Sequence, residues 1–157
     1  MQMINENDTN DMIDGVILER TLQILAPYKQ EYERAINIGF GVGYYVTTHL
    51  PAKFIHDLDI SGNENLFTGT LPDNYDVVNE PVGKYDLVVS SNTLYQHLEH
   101  DWIYRLIMGC AKNYILIGGV NDWLIEKDFG SEIISYTYKC GAHDQRLTLF
   151  KVHNAIQ

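Results

Sequence analysis

Apolar residues come in short blocks separated by polar turns, and their period changes in a regular order along the chain. Met12, Ile13, Val16, Ile17, Leu22, Ile24 and Leu25 give the apolar face of a helix that stops before Pro27. Asp11 or Asp14 would cap it. A short helical piece over 28–33 leads into a strand at 35–38. Residues 44–50 suit a short helix ended by Pro51, and 53–59 a second strand. Pro72, Pro81 and several Asn and Asp residues break the segment 67–83, leaving a short third strand near 74–78. The valine-rich run 85–90 is a strand. Over 93–109, Leu94, Leu98, Trp102, Ile103, Leu106 and Ile107 fall on one helical face. The strand 114–117 ends at Gly118 and Gly119, and 122–129 makes a short helix. Two strands of largely alternating character, 131–139 and 145–152, flank a turn at 140–144, which is a hairpin signal.

Strands alternating with helices predict an α/β domain with a parallel sheet wound on both sides. The closing hairpin adds one antiparallel strand. At 157 residues the chain is expected to be a single domain spanning 1–157, with a real core. Residues 1–11 are expected to be a flexible tail, and 12–34 an N-terminal helical cover for one edge of the sheet.

The chemistry concentrates where the first strand ends. Ala35-Ile36-Asn37-Ile38 runs straight into Gly39-Phe40-Gly41-Val42-Gly43. Three glycines at alternate positions allow a sharp turn and close approach of backbone to a ligand. The dinucleotide fingerprint G-x-G-x-x-G/A would need a small third residue, and that place is Tyr44. The spacing is G-x-G-x-G instead.

Charge and cysteine content narrow the ligand class. The net charge is −10, and the densest basic stretch, 29–34, is interrupted by Glu31 and Glu33, which disfavours nucleic acid as a partner. A small molecule, or a cationic or amine-bearing group, suits that charge better. No apolar run approaches the roughly 18 residues of a membrane span, and the N-terminus lacks the basic and apolar regions of a secretory signal. Cys110 and Cys140 show neither metal spacing nor a disulfide framework, so reduced thiols in a cytoplasm are the expectation.

The glycine spacing resembles the first motif of the class I S-adenosylmethionine (AdoMet) methyltransferases, and the element order resembles theirs over about residues 34–152. The resemblance implies a three-layer sandwich with a mostly parallel seven-stranded sheet and an antiparallel last strand, a Rossmann-like methyltransferase fold. It implies AdoMet as cofactor and S-adenosylhomocysteine (SAH) as product. Gly39, Phe40, Gly41 and Gly43 would form the cofactor loop. The family usually carries an acidic residue two before the first glycine; here Asn37 keeps an acceptor without the charge. Asp59-Ile60-Ser61 looks like the family's D-I-S strand end, with Asp59 accepting both ribose hydroxyls and Ile60 packing on the adenine. A turn aspartate is the competing reading of Asp59. Asp76 matches the acid that takes the adenine amino group, with the backbone N–H of Val77 beside it; a turn aspartate competes there too. The segment 84–98 resembles the family's F-D-L-V-V strand and V-L-x-H-L helix, and places Ser90 and Ser91 at the strand's carboxyl end. It is close in style to small-molecule methyltransferases, including the nodulation-type sugar N-methyltransferases. The N-P-P-Y signature of amide and adenine methyltransferases is absent, as are the acidic ligands of metal-dependent catechol-type enzymes.

The implied activity is methyl transfer to a small-molecule amine or hydroxyl. An amine needs chiefly alignment, whereas a hydroxyl needs a base, and His97 is the candidate. A helix-start histidine bonded to backbone is the plainer reading of His97, and a metal pair with His100 lacks a third ligand. Tyr44, Tyr45 and Tyr95 could line an amine pocket, though most of the eleven tyrosines suit core or rim positions. A catalytically silent AdoMet-binding or partner-binding module is the alternative, because so small a chain leaves few residues for an acceptor pocket. A homodimer could complete that pocket.

Overall fold

A computed structural model of the chain describes residues 10–38, 47–58, 72–91, 100–119, 127–140 and 143–153. Helix α1 spans Asn10–Leu25, and a short 3-10 helix, Ala26–Glu31, follows it. The change of helix type falls at Pro27, whose missing N–H suits the first turn of the second helix. Strands β1 (Arg34–Ile38), β2 (Phe54–Leu58), β3 (Tyr75–Val78) and β4 (Tyr85–Ser91) come next. Helix α2 (His100–Cys110) runs without a loop into β5 (Ala111–Gly119), and β6 (Ser131–Cys140) and β7 (His143–Lys151) close the chain.

The seven strands form one sheet in the order β3-β2-β1-β4-β5-β7-β6. Pairing is parallel from β3 through to β5, and β7 runs antiparallel to both β5 and β6. The predicted parallel sheet with its reversed last strand is therefore present. Its order turns back between β1 and β4, which makes their carboxyl ends the topological switch point.

Each face of the sheet buries its own apolar cluster. Ala35, Ile55, Leu87, Leu116 and Leu149 face Ile24 and Leu25 from the end of α1, with Tyr32 and Leu50. On α1, Leu18, Thr21, Ile24 and Leu25 lie at helical spacing, so its last two turns carry the buried face. The other face packs Ile36, Ile38, Val88, Ile115 and Ile117 against Ile103, Ile107 and Cys110 of α2. Strand β1 is thus covered on both sides, which explains why Ala35, Ile36 and Ile38 are all apolar.

A polar knot fixes the amino ends of the strands. One carboxylate oxygen of Asp86 accepts the backbone N–H groups of Glu33 and Arg34, both at 3.0 Å, and the other accepts Asn113 Nδ2 at 3.2 Å. The Arg34 guanidinium donates to the carbonyls of Val82 and Lys84, each at 2.6 Å, and lies over the Tyr85 ring at 4.5 Å. Lys84 Nζ donates to the Gly109 carbonyl at 2.6 Å, a cation at the negative end of the α2 dipole.

Several expectations are corrected. Helix α1 begins at Asn10, so Asp11 and Asp14 lie inside it rather than capping it. Strand β5 starts at Ala111, three residues before the predicted start, because it follows α2 directly. Residues 127–129 are not helical, and Phe129 packs on Tyr104 and Phe150 at ring distances of 5.3 and 5.5 Å. The rest of the predicted helix 122–129, the helix start at 93–99 and most of 44–50 lie outside the described residues.

Two glycines predict opposite outcomes. Gly130 has φ +132°, and a Cβ there would lie 2.1 Å from the Lys151 carbonyl oxygen. Gly130→Ala should lower stability by roughly 3 kcal/mol, about 10 °C in Tm, in a circular-dichroism melt. Gly109, near the end of α2, has open space around it, so Gly109→Ala should raise stability by about 0.5 kcal/mol in the same experiment. Burial also pushes the Cys110 thiol up to about 11. In a Cys140→Ser background, iodoacetamide at pH 8 should leave Cys110 unmodified in the native protein and label it on unfolding, as read by mass spectrometry.

Candidate functional site

Ligands of open parallel sheets bind beyond the carboxyl ends of the strands at the switch point. Three side chains from three adjacent strands meet beside it, two near the carboxyl ends of β1 and β2 and one from the start of β3. Asn37, the fourth residue of β1, is 5% exposed, Asp57 of β2 is 8% exposed, and Tyr75 of β3 is 6% exposed. Asn37 and Asp57 are directly paired across β1 and β2. Asn37 Nδ2 donates to Asp57 Oδ1 at 3.0 Å, and the Tyr75 hydroxyl donates to Asp57 Oδ2. One carboxylate thus accepts from both neighbouring strands. A buried carboxylate is costly unless it is hydrogen-bonded, and these two donors offset that cost.

The sheet alternation sets which groups share a face. Asn37 and Asp57 alternate with Ile36 and His56, so they lie on the face of Ala35 and Ile55. Ser90 of β4 is fully buried and follows Val89, the register partner of Asn37, so it lies on the opposite face beside the same crevice. Ser91 ends β4, paired with Gly118. Both serines therefore belong to the carboxyl end of β4, as the apolar run ahead of them implies.

Asp76 occupies a different place. It is exposed, pairs with His56 in the ladder, and lies on the face opposite Asn37 and Asp57. His56 Nδ1 is 2.7 Å from the Tyr85 hydroxyl, which also accepts the Val82 N–H at 2.9 Å. Burial, then the Arg34 guanidinium, lowers the His56 pKa, while Asp76 pulls the other way. Val77 is half-buried against the cluster that holds Tyr75. Gly39, Phe40, Gly41, Gly43, Asp59, Ile60 and His97 lie outside the described residues, as do Tyr44, Tyr45 and Tyr95. In the sequence, Gly39 follows the last residue of β1, and Asp59 the last residue of β2.

Sequence reasoning missed Asp57 and Tyr75. The signal was available: in Phe54-Ile55-His56-Asp57-Leu58, strand alternation puts Asp57 on the side of Ile55, and a carboxylate on a buried strand face needs donors. Among the tyrosines, Tyr32, Tyr75, Tyr85 and Tyr114 are core residues. Among the described residues no group of three or more His, Cys, Asp or Glu could hold a metal ion. No helix of the described residues is long and apolar enough to cross a membrane. A cleft of about 580 Å³ opens at the other end of the sheet, lined by Lys29, Glu33, Lys53 and Asp86 among others. Its Asp86 carboxylate is already committed to the strand starts.

No protein-family model and no curated protein matches the chain. Solved structures do match in shape. The N-methyltransferase NodS from Bradyrhizobium japonicum WM9 superposes with a TM-score of 0.64 at 11% identity, over 91% of this chain and 98% of that one. A putative methyltransferase from Pseudomonas syringae gives 0.63 at 17% identity, over 89% and 99%. Magnesium protoporphyrin IX methyltransferase (ChlM) from Synechocystis PCC 6803, with bound SAM, gives 0.60 at 12% identity, over 94% and 86%. With its seven strands in the order described and the last one reversed, the chain has the Rossmann-like fold of the class I AdoMet methyltransferases.

Proposed function

We propose that the chain is an AdoMet-dependent methyltransferase acting on a small-molecule amine or hydroxyl, with SAH as product. One observation carries the reading. Strand β1 ends at Ile38, at the switch point of the sheet, and the next residues in the sequence are the glycines of G-x-G-x-G. Strands β1 and β2 end in register, so Gly39 and Asp59 follow paired residues, Ile38 and Leu58. NodS has been solved with SAH and ChlM with SAM, on folds of the same kind.

The donor set of the described site fits such a ligand. A buried carboxylate at Asp57, the Asn37 amide and the Ser90 hydroxyl lie at the carboxyl end of the central strands, an acceptor-rich setting for a cationic cofactor. AdoMet supplies a methyl group on a sulfonium, which an acceptor lone pair can take directly. The chain's own contribution is then alignment. The glycines from 39 to 43 let the backbone approach the cofactor, and Phe40 lies among them. Asp59 accepts the ribose hydroxyls, and Ile60 and Val77 flank the adenine. Asn37, Ser90 and Ser91 complete the binding set. The Asp76 carboxylate serves the adenine amino group only if the ligand reaches the outer edge of the sheet, since it lies on the His56 side. For a hydroxyl acceptor, His97 takes the proton.

Isothermal titration calorimetry with SAH and AdoMet tests the cofactor. Binding in the micromolar range is expected, with Asp59→Ala weakening SAH about 30-fold. No heat at high micromolar ligand overturns the reading, and a melt raised by a dinucleotide but not by SAH would replace it. Release of SAH from AdoMet in the presence of a panel of amines and alcohols tests transfer. Binding without turnover across that panel would leave a silent AdoMet-binding module.

A further inference from the structure

We infer that Asp57 is a positioning residue for the ligand of this crevice, bracing the carboxyl ends of β1 and β2 through Asn37 and tying them to the first residue of β3 through Tyr75. The inference rests on the reading of the crevice as an AdoMet site. Its basis is the geometry of three strands. The parallel ladders hold β1 to β2 and β2 to β3 through Ile38, Leu58 and Val78, the last residues of the three strands. Asp57 lies one residue before that limit, and its two oxygens reach one side chain on each neighbour. The brace therefore acts one residue before Ile38 and Leu58, and it fixes the lateral spacing of β1 and β2 at that level.

Stability alone does not account for such a group. A buried hydrogen-bonded charge gains little over apolar residues of the same volume, and the surrounding cluster is otherwise Ala35, Ile55, Leu87 and Val89. What the network adds is a single geometry, because a carboxylate with two fixed donors cannot slide along the sheet as an apolar contact can. Displacements well under 1 Å at a binding loop are enough to alter affinity.

The arrangement also makes the residue types interdependent. An amide faces a carboxylate across β1 and β2, so the pair can be exchanged with the 37–57 contact and the Tyr75 hydrogen bond both kept. In the double variant Asn37→Asp/Asp57→Asn, the new amide at position 57 offers its NH2 to the new carboxylate at position 37 and its oxygen to the Tyr75 hydroxyl. In Asn37→Asp alone, two carboxylates face each other across a 3.0 Å contact that has lost its donor.

SAH affinity by calorimetry at 20 °C, alongside the ligand-free melt of each protein, tests the brace. Asn37→Asp should weaken SAH at least about tenfold. Adding Asp57→Asn should recover part of that loss, with the double variant binding SAH at least about threefold more tightly than Asn37→Asp. Tyr75→Phe, a milder change that keeps the carboxylate and its Asn37 bond, should weaken SAH about fivefold and covers the case in which Asn37→Asp fails to fold. Wild-type affinity in Asn37→Asp or in Tyr75→Phe overturns the inference. So does a double variant that melts like the wild type yet binds as poorly as Asn37→Asp. If the wild-type chain itself binds no SAH, the site reading falls and the inference with it, an outcome distinct from unaltered binding in the variants.

Discussion

Strand β1 is buried on both faces, and this constraint governs the centre of the molecule. Ala35, Ile36 and Ile38 meet it with apolar side chains; Asn37 cannot. Buried as it is, its amide needs hydrogen-bond partners, since an unsatisfied buried polar group costs about 1–3 kcal/mol. Asp57 on the next strand supplies an acceptor, and the same logic then requires a second donor for the carboxylate, which Tyr75 provides from the strand beyond. One polar residue on a central strand thus propagates a chain of obligations across half of the parallel sheet.

The two ends of the sheet solve different problems with similar groups. At the amino end Asp86 also gathers donors from neighbouring strands, but two of them are backbone N–H groups of Glu33 and Arg34. That carboxylate sets where β1 begins, and Arg34, Tyr85 and His56 fill in around it by stacking and hydrogen bonds. At the carboxyl end of β2, Asp57 accepts from two side chains, Asn37 and Tyr75, so the contact sets lateral spacing between strands.

The fold was legible in the chain because each central strand is a short apolar run between punctuating residues: Ala35 to Ile38 before glycine, Tyr85 to Ser90 after a glycine-lysine turn, Tyr114 to Ile117 before two glycines. Alternation in the closing pair exposed the hairpin, and hence the reversed strand. Boundaries were less legible. Helix α1 continues past Asp14 and Asp11 to Asn10, where a capping argument alone would have stopped it. Strand β5 reaches back to Ala111 because α2 needs no connecting loop, which no residue announces. The candidate site divides in the same way. The places of Asn37 and Ser90, near the carboxyl ends of β1 and β4, followed from the segments around them. Asp57 and Tyr75 belong to no motif; they emerge only when neighbouring strands are placed in register, because their relation is between strands and not along one.

Register also accounts for the amide at position 37. Two carboxylates at hydrogen-bonding distance cannot both be ionised in a buried setting, so one would hold a proton or the strands would part. Given Asp57 directly opposite on β2, position 37 can carry only a neutral donor, and asparagine is the closest donor in shape to the aspartate the resemblance would favour. The carboxyl group has not been removed from the crevice; it stands on the neighbouring strand, 3.0 Å from the amide. A sequence comparison along β1 alone registers a missing acid, whereas the sheet, taken as a surface, has kept one.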